Sequence, residues 1–279
     1  MANDREYKSV ALLDADILLY IASRGAEDKI DWGDGDEAMV IADLDKGKAI
    51  LTDTVNAWWQ MTGMDLYHIC FSDRVNACFR NEVYPIYKLH RAGYKRPELY
   101  DPLSDWLMRR EREDNPHRPY GLYDFLEADD ALGLLQTMWN QLGIDTCIVS
   151  IDKDMLTIPG KHLNPNHEDP AIRQVDLEEA DYNWMTQTIS GDRVDNYKGA
   201  PGIGAARAAK ILDPCYGNLE AMWQGVLQGY DDQWLKPNWR TKFQFDDPYV
   251  EALANARCAR ILREGDYNYE TGKVNLWTP

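Results

Sequence analysis

The chain has 279 residues, 44% hydrophobic and 28% charged, which is typical of a folded globular protein with a well-buried core. The apolar run after Ser9 is interrupted by Asp14 and Asp16, which argues against a signal peptide or a membrane span. Five cysteines that form no CxxC pair favour reduced thiols and a cytoplasmic location. The formal net charge of −17 argues against nucleic-acid binding only if the acids are spread over the surface rather than gathered around cations.

Three short apolar runs predict buried parallel strands: Val10–Leu13, Tyr67–Phe71 and Cys147–Ile151. Carboxylates follow each run, namely Asp14 and Asp16, then Asp73, then Asp152 and Asp154. For any one strand, a helix N-cap is the simpler interpretation. Because the same arrangement recurs after three strands, we expect a ligand site beyond the carboxyl edge of a parallel sheet.

A further acidic group opens a helix predicted over Leu126–Gly143. Glu127, Asp129 and Asp130 all fall in its first turn. Negative charge there is stabilised by the helix dipole, so ordinary capping is the alternative to a functional role. Three acids within four residues also repel one another, and a bound cation would relieve that repulsion.

Two more carboxylates, Asp192 and Asp195, follow a helix predicted from Leu177 to Ile189. A set of oxygen ligands without histidine or cysteine favours Mg²⁺ or Mn²⁺ over zinc. The five histidines form no HExxH pair, and the chain contains no GxSxG motif. Two divalent cations would suit hydrolysis of a phosphate ester, a reaction that then needs no nucleophilic side chain.

The stretch Gly191–Leu212, which reads GDRVDNYKGAPGIGAARAAKIL, predicts a helix–hairpin–helix with its second helix over Ala205–Leu212. Free amides at the start of that helix would bind a phosphate of a nucleic-acid backbone. The residues expected to contact DNA there are Gly202, Gly204, Arg207 and Lys210. A plain hairpin with glycine caps is the alternative, and the adjacent carboxylates favour the phosphate-binding interpretation.

The segment Phe79–Tyr100 is locally basic in this strongly acidic chain. Its basic side chains alternate with tyrosines, a combination that suits stacking on bases and binding of a single strand. Arg80 is expected to contact DNA there. A solvated basic surface is the alternative interpretation.

Together these motifs resemble the 5′-nuclease family, which includes flap endonucleases, the 5′-exonuclease domains of bacterial DNA polymerase I and phage exonucleases. The glycine-rich stretch is similar to the family's G-D-x-x-D-N-x-x-G-x-x-G-I-G-x-x-x-A signature. LEADD, SIDKD and FSD resemble its acidic motifs, and FRNEVYPIYKLHR its gateway helix. The tail most resembles exonucleases of short-tailed phages. The sequence departs from the family at Ala15, where glycine is usual, and at Asp16, where flap endonucleases often have asparagine.

The resemblance implies roles for the matching residues. A first metal ion would be held by Asp14, Asp73, Glu127 and Asp129. A second would be held or oriented by Asp130, Asp152, Asp154, Asp192 and Asp195. Lys88 and Arg91 would stabilise the scissile phosphate, and Tyr87 would stack on the terminal base. Gly202 and Gly204 would line a hairpin that binds K⁺ and duplex backbone.

The implied fold is α/β, with a central mainly parallel sheet flanked by helices in the manner of PIN and 5′-nuclease domains. The nuclease core is expected over 1–175, with a basic gateway or arch segment at about 79–120. A helical DNA-binding region is expected over 176–279, with the helix–hairpin–helix motif at about 188–212.

The implied function is a 5′-to-3′ exodeoxyribonuclease that hydrolyses phosphodiester bonds at 5′ ends of duplex DNA by a two-metal mechanism with Mg²⁺ or Mn²⁺. RNA in RNA–DNA hybrids is a further expected substrate. The rivals are a structure-specific flap endonuclease and a non-catalytic DNA-binding protein. A phage-encoded chain of this kind would act in the host cytoplasm. No membrane partner is expected, and the sequence identifies no protein partner.

Overall fold

The structure is a computed structural model that describes residues 9–30, 39–73, 78–91, 93–114 and 125–279. Of the basic segment expected at 79–120, residue 92 and residues 115–120 lie outside the described residues. The same holds for residues 1–8, 31–38 and 74–77 of the expected nuclease core.

The sheet at the centre of the N-terminal region is mainly parallel. The strands in the described residues are β1 (Ser9–Asp14), β2 (Glu27–Ile30), β3 (Met39–Ala42), β4 (Leu66–Cys70), β5 (Asp145–Val149), β6 (Gly160–Leu163), β7 (Arg173–Val175), β8 (Tyr267–Asn268) and β9 (Lys273–Val274). The five-stranded sheet has the order β4-β1-β5-β6-β7, with only β7 antiparallel. This architecture confirms the predicted α/β class, and the three predicted strands are β1, β4 and β5.

The register of the three central strands brings their carboxyl ends to the same level. Leu13 of β1 lies opposite both Ile69 of β4 and Val149 of β5. The strand is buried on both faces, because Leu13 packs in one hydrophobic cluster and Leu12 in another. Residues that follow these strands therefore emerge together at one edge of the sheet.

Helices cover the sheet and form the C-terminal region. Within the described residues they are α1 (Ala15–Gly25), α2 (Leu44–Thr62), α3 (Phe79–Val83), α4 (Tyr100–Asp114), α5 (Ala128–Gln141), α6 (Leu177–Ser190), α7 (Ala205–Leu212), α8 (Leu219–Trp234) and α9 (Pro248–Ala259). The predicted helices correspond to α5, α6 and α7; α5 begins at Ala128 because Glu127 is its N-cap. Among the described residues, no helix is both long enough and apolar enough to cross a bilayer.

The C-terminal helices pack around a core of aromatic side chains. Trp184 of α6 is fully buried, and its indole N–H donates to the carbonyl of Ala256 in α9 at 2.8 Å. Tyr230 of α8 donates from its hydroxyl to the carbonyl of Thr188 in α6, also at 2.8 Å. The same cluster includes Tyr84, so it extends into the segment that follows β4.

The link between α6 and α7 is shaped by two glycines that approach each other closely. Gly191 and Gly199 have φ angles of 71° and 64°. A Cβ on Gly191 would lie 2.3 Å from the carbonyl carbon of Lys198, and a Cβ on Gly199 would lie 2.3 Å from the Gly191 nitrogen. Between them, Asp192 and Tyr197 exchange backbone hydrogen bonds at 2.8 and 3.0 Å. Only glycine meets both requirements, and the turn 192–197 is thereby held against the end of α6.

Candidate active site

Asp14, the last residue of β1, is the buried centre of the acidic edge. It is 2% exposed and accepts hydrogen bonds from the backbone N–H groups of Asp16 and Ile17 at the start of α1. The Ser150 hydroxyl donates to its other oxygen at 2.8 Å and accepts from the Asp152 N–H at 3.1 Å. Burial, with the charges of Asp16 and Asp152, raises the pKa of Asp14 to about 7.

Three further acids belong to the same electrostatic cluster. Burial raises the pKa of Asp129, and the charges of Asp14 and Asp152 raise it further. Burial likewise raises the pKa of Asp154 to about 7, with contributions from the charges of Asp152 and Asp192. The predicted strand-end acids and the acid from α5 are therefore close enough to oppose one another's ionisation.

A second group centres on Glu127 and Asp195, which share their partners. The Lys88 ammonium contacts the Glu127 carboxylate and lies 3.5 Å from Asp195 Oδ2. The Tyr87 hydroxyl oxygen is 2.9 Å from one oxygen of each acid, and Arg91 donates to Asp195 Oδ1 at 2.9 Å. Burial disfavours ionised Glu127, but the Lys88 charge, with that of a buried arginine, outweighs it and lowers the pKa of Glu127 to about 2.

The two groups meet at Asp129. The Glu127 charge contributes to the raised pKa of Asp129, whereas the Lys88 charge opposes it. The acids that follow β1 and β5, those at the start of α5 and those in the turn after α6 thus form one site. Lys88 and Arg91 lie on the side of Glu127 and Asp195.

Asp130 and Arg80 occupy a different place from the one expected. Arg80 is 2% exposed and Asp130 is fully buried, and the guanidinium donates to both carboxylate oxygens at 2.7 and 2.8 Å. Arg80 also donates to the carbonyls of Cys258 and Arg260, and Asp130 accepts from the Leu262 N–H. Because these contacts use the polar atoms of both side chains, Asp130 is not available to a metal and Arg80 is not available to DNA.

Tyr87 also differs from its expected role. Its side chain is only 3% exposed, and its ring stacks on that of Tyr197 with centroids 6.3 Å apart. The hydroxyl is engaged with two carboxylates, as described above. A ring enclosed in this way cannot stack on a terminal base, and instead it orients Glu127 and Asp195.

Asp16 and Asp73 connect the site to neighbouring elements. Asp16 accepts from the hydroxyls of Ser72 at 2.6 Å and Tyr100 at 2.9 Å. Asp73 accepts from the Phe125 N–H at 2.9 Å. Asp16, whose role as a ligand the sequence left open, therefore uses both oxygens to join α1 to the end of β4 and to α4.

The residues expected to bind duplex backbone lie on the surface. Gly202 has a φ of 81°, and its carbonyl accepts from Arg207 Nη1 at 2.9 Å. Gly204 is the N-cap of α7 and has no side chain that could cap the first amides of the helix. Arg207 and Lys210 are both exposed. These features leave donors and positive charge open to an anion.

The chemistry of the acidic site fits hard divalent cations, because the ligands that it offers are carboxylate oxygens. Within the described ranges, however, no three acidic, histidine or cysteine side chains converge on a point where one ion would be held. The raised pKa values of Asp14 and Asp154 have the same main cause, which is burial, and the charges of neighbouring carboxylates raise both further. The arrangement is therefore a cluster of competing acids rather than a formed ligand cage.

Sequence reasoning missed the neutral side chains that hold the acids. Ser72 donates to Asp16, and Ser150 donates to Asp14. Ser72 belongs to the motif FSD and Ser150 to the motif SIDKD, each close to the end of its strand. Gln187 of α6 donates to Asp192 Oδ2 at 3.4 Å and also bonds Asp154. A hydroxyl just before a strand-end aspartate was a usable signal for the serines, whereas Gln187 has no local signal.

No family model matches the chain. The chain is 28% identical to the exodeoxyribonuclease of Enterobacteria phage T3, over 98% of this chain and 93% of that protein. It is 27% identical to the exonuclease of Escherichia phage T7, over 98% of this chain and 94% of that protein. The flap endonuclease of bacteriophage T5, solved as a pseudo-enzyme–product complex with DNA and metal ions, has the same fold: its TM-score is 0.57 at 16% identity, over 90% of this chain and 88% of that one. The fold, these relatives and the acids gathered at the sheet edge all support the resemblance of the chain to the 5′-nuclease family.

Proposed function

We propose that this chain is a metal-dependent 5′-to-3′ exodeoxyribonuclease that hydrolyses phosphodiester bonds at the 5′ ends of duplex DNA. The observation that carries the proposal is the meeting of strand-end acids with Lys88 and Arg91 at one edge of the sheet. The names of the two phage relatives that match nearly the whole chain support the same reaction.

Two Mg²⁺ or Mn²⁺ ions would be held by Asp14, Asp73, Glu127, Asp129, Asp152, Asp154, Asp192 and Asp195. Asp130 is left out of this set because Arg80 occupies its oxygens. When bound, such ions activate water and stabilise the leaving oxygen of a phosphodiester. The acids with raised pKa values would then lose their protons and coordinate a divalent cation as carboxylates.

Lys88 and Arg91 would contact the scissile phosphate. Burial disfavours the charged ammonium of Lys88, but the Glu127 and Asp195 charges outweigh burial and raise its pKa. Lys88 therefore stays cationic at neutral pH. A fixed positive charge of this kind stabilises the negative charge that develops during phosphoryl transfer.

The hairpin at Gly202 and Gly204, together with α7, would bind the duplex away from the point of cleavage. The open amides after Gly204, with Arg207 and Lys210, suit contacts to backbone phosphates. In the same proposal, the hairpin at Gly202 and Gly204 would also bind a K⁺ ion. Contacts of this kind do not read base sequence. They would also accept the RNA strand of an RNA–DNA hybrid.

A structure-specific flap endonuclease is the second candidate. It is favoured by the shared fold with the T5 protein, which is described as a flap endonuclease in complex with DNA. The same acids and cations would then act on a branched rather than a blunt substrate.

The test uses purified protein and Mg²⁺ on 5′-labelled and 3′-labelled blunt duplexes and on a 5′-flap duplex. An exonuclease releases the 5′ label first and shortens the 3′-labelled strand progressively. Faster release of an intact flap favours the endonuclease. DNA binding without cleavage of any of these substrates indicates a non-catalytic protein. Undiminished cleavage in excess EDTA would refute metal dependence.

A further inference from the structure

Lys88, which would contact the scissile phosphate, lies on a turn with a strained backbone. The Leu89 N–H donates to the Ile86 carbonyl at 3.1 Å and closes a turn over residues 86–89. Lys88 is the third residue of this turn and has a φ of 51°, whereas Tyr87 before it has no positive φ. This is the pattern of a type II turn, whose third position favours glycine or asparagine. Because a lysine in that conformation costs free energy, other contacts must hold it there.

The peptide group that joins Tyr87 to Lys88 is held at both of its polar atoms. Its carbonyl, on Tyr87, accepts from Asn81 Nδ2 of α3 at 3.1 Å. Its N–H, on Lys88, donates to the Asp195 carbonyl at 2.8 Å. Rotation of this peptide group by about 180° would give a type I turn, in which the third residue has an ordinary negative φ. The rotation would break both hydrogen bonds and direct the Tyr87 carbonyl toward that of Asp195.

The carbonyl one residue earlier is held by a second asparagine. Asn196 Nδ2 donates to the Ile86 carbonyl at 2.6 Å, in addition to the N–H that closes the turn. Asn196 has a φ of 63°, in the left-handed region that asparagine adopts more readily than most residues. It directly follows Asp195, so the two groups that bind the 86–89 turn from this side come from adjacent residues.

The Lys88 side chain extends from this turn to the acids. Its ammonium contacts the Glu127 carboxylate and lies 3.5 Å from Asp195 Oδ2. Lys88 therefore meets Asp195 twice, through its backbone N–H and through its ammonium. Arg91 also joins the two segments, because its Nη2 donates to the Val194 carbonyl at 2.9 Å, but it does so through a long and exposed side chain. That contact can keep the segments together while their relative position changes.

We infer that Asn81 and Asn196 are positioning residues that act through Lys88, an inference that rests on the proposed function. By holding the strained turn, they fix the position of the Lys88 ammonium relative to the carboxylates of the acidic site. A phosphate must meet the ammonium and the cations at those carboxylates at the same time. Misplacement of a catalytic group by about 1 Å can cost about a hundredfold in rate, so a rigid turn has a direct kinetic effect. Neither asparagine has to touch DNA for this role.

The test is a double-mutant cycle on Asn81→Ala and Lys88→Ala. Single-turnover cleavage of a labelled duplex is measured with Mg²⁺ at saturating DNA, and duplex affinity is measured separately in EDTA. Asn81→Ala should slow the saturated rate by on the order of tenfold and leave the affinity unchanged. In the Lys88→Ala background the same change should have no further effect, because the group that Asn81 positions is gone. Asn275→Ala is the matched control: it removes another exposed asparagine amide, which donates to the Gly265 carbonyl at 3.0 Å, and it should leave the rate unchanged.

Asn196→Gly is the second arm, because glycine accepts the left-handed backbone while the amide is lost. A rate loss confined to the wild-type background supports the inference, since a general loss of structure would slow both backgrounds alike. Losses of equal size in the two backgrounds, or an unchanged saturated rate in Asn81→Ala or in Lys88→Ala, overturn the inference while wild-type cleavage leaves the proposed function intact. A wild-type protein that neither binds nor cuts DNA overturns both.

Discussion

At the scale of single residues, the start of α5 gives its three acids three different surroundings. Glu127 contacts Lys88, Asp129 shares the field of the strand-end acids, and Asp130 pairs with buried Arg80. Asp130 lies one helical turn after Glu127, where its side chain also accepts from the Glu127 N–H at 3.4 Å. Neighbours in one acidic motif therefore have different roles: Glu127 forms an ion pair with Lys88, Asp129 lies in the acidic cluster, and Asp130 forms a structural salt bridge.

Asp130→Ala should destabilise the fold. The change leaves the Arg80 guanidinium buried without its counter-charge, and breaking a buried pair in this way costs about 3–5 kcal/mol of unfolding free energy. Urea denaturation followed by circular dichroism measures the loss. Asp129→Asn is the control, because it removes a carboxylate whose ionisation its neighbours oppose, and it should not lower stability. Equal stability of Asp130→Ala and the wild type would contradict the structural role.

Lys88→Ala should slow cleavage at saturating DNA by on the order of a hundredfold, because its ammonium would stabilise charge in the transition state. Single-turnover cleavage of a labelled duplex measures the effect. Lys95→Ala tests for a general effect of charge in the same segment, since Lys95 is exposed and pairs with Glu98 at 3.1 Å. If Lys88→Ala weakens DNA binding but leaves the saturated rate unchanged, the residue acts as a tether and not at the phosphate.

At the scale of elements, the ends of parallel strands determine the electrostatics of the site. Asp14 and Asp154 have pKa values raised to about 7, well above the unfolded value of about 3.9. The folded protein therefore holds protons that the unfolded chain has released between about pH 4 and 7. Glu127 shifts the other way and titrates below this window.

The metal-free protein should lose stability as the pH rises from about 5 to 7. Each extra proton held by the folded state contributes a slope of about 1.4 kcal/mol per pH unit, and the slope should level off above that range. Urea unfolding in EDTA at several pH values gives the profile. Asp154→Asn should flatten it, whereas Asp232→Asn, at an exposed position on α8, should not. A stability that rises over this window would show that the acids are not held as the structure has them.

The elements of the site were predictable where a local pattern sets them, and their partners were not. The β1, β4 and β5 strands follow from short apolar runs, and the α7 bounds from a glycine turn before an alanine-rich stretch. The burial of Tyr87 and Arg80 depends on packing against Tyr197 and on carbonyls near residue 260, which are more than one hundred positions away. A basic or aromatic residue in a polar-looking segment carries no sign of such distant contacts.

Gly199→Ala should disrupt the link between α6 and α7. The added Cβ would lie 2.3 Å from the Gly191 nitrogen, and the φ of 64° is itself strained for alanine, so the loss of stability should be at least about 2 kcal/mol. Thermal unfolding measures the outcome. Gly204→Ala is the control in the same segment, because nothing lies within 4 Å of a Cβ there. Similar losses for both variants would mean that the close contact does not hold the turn.

At the scale of the whole molecule, the expected boundary at residue 175 marks a change of architecture and not a break in packing. One hydrophobic cluster combines Tyr84 and Leu126 with Trp184 and Trp223 of the C-terminal helices. The segment after α9 returns to α5, where the Glu264 N–H donates to Thr137 Oγ1 at 2.7 Å. The parallel sheet and the helical region therefore depend on a shared interior.

Residues 1–175 alone should not form a cooperative fold, and the full chain should unfold in a single transition. The fragment would expose Tyr84 and Leu126, and Arg80 would lose the carbonyls of Cys258 and Arg260 that it binds in the full chain. Coincident unfolding midpoints from tryptophan fluorescence and far-ultraviolet circular dichroism of the full chain would establish one unit. Two separated transitions, or a fragment that unfolds cooperatively by itself, would mean that the sheet positions its acids without the C-terminal helices. In that case Asp192 and Asp195 would reach the site only when the separately folded C-terminal region docks on the sheet.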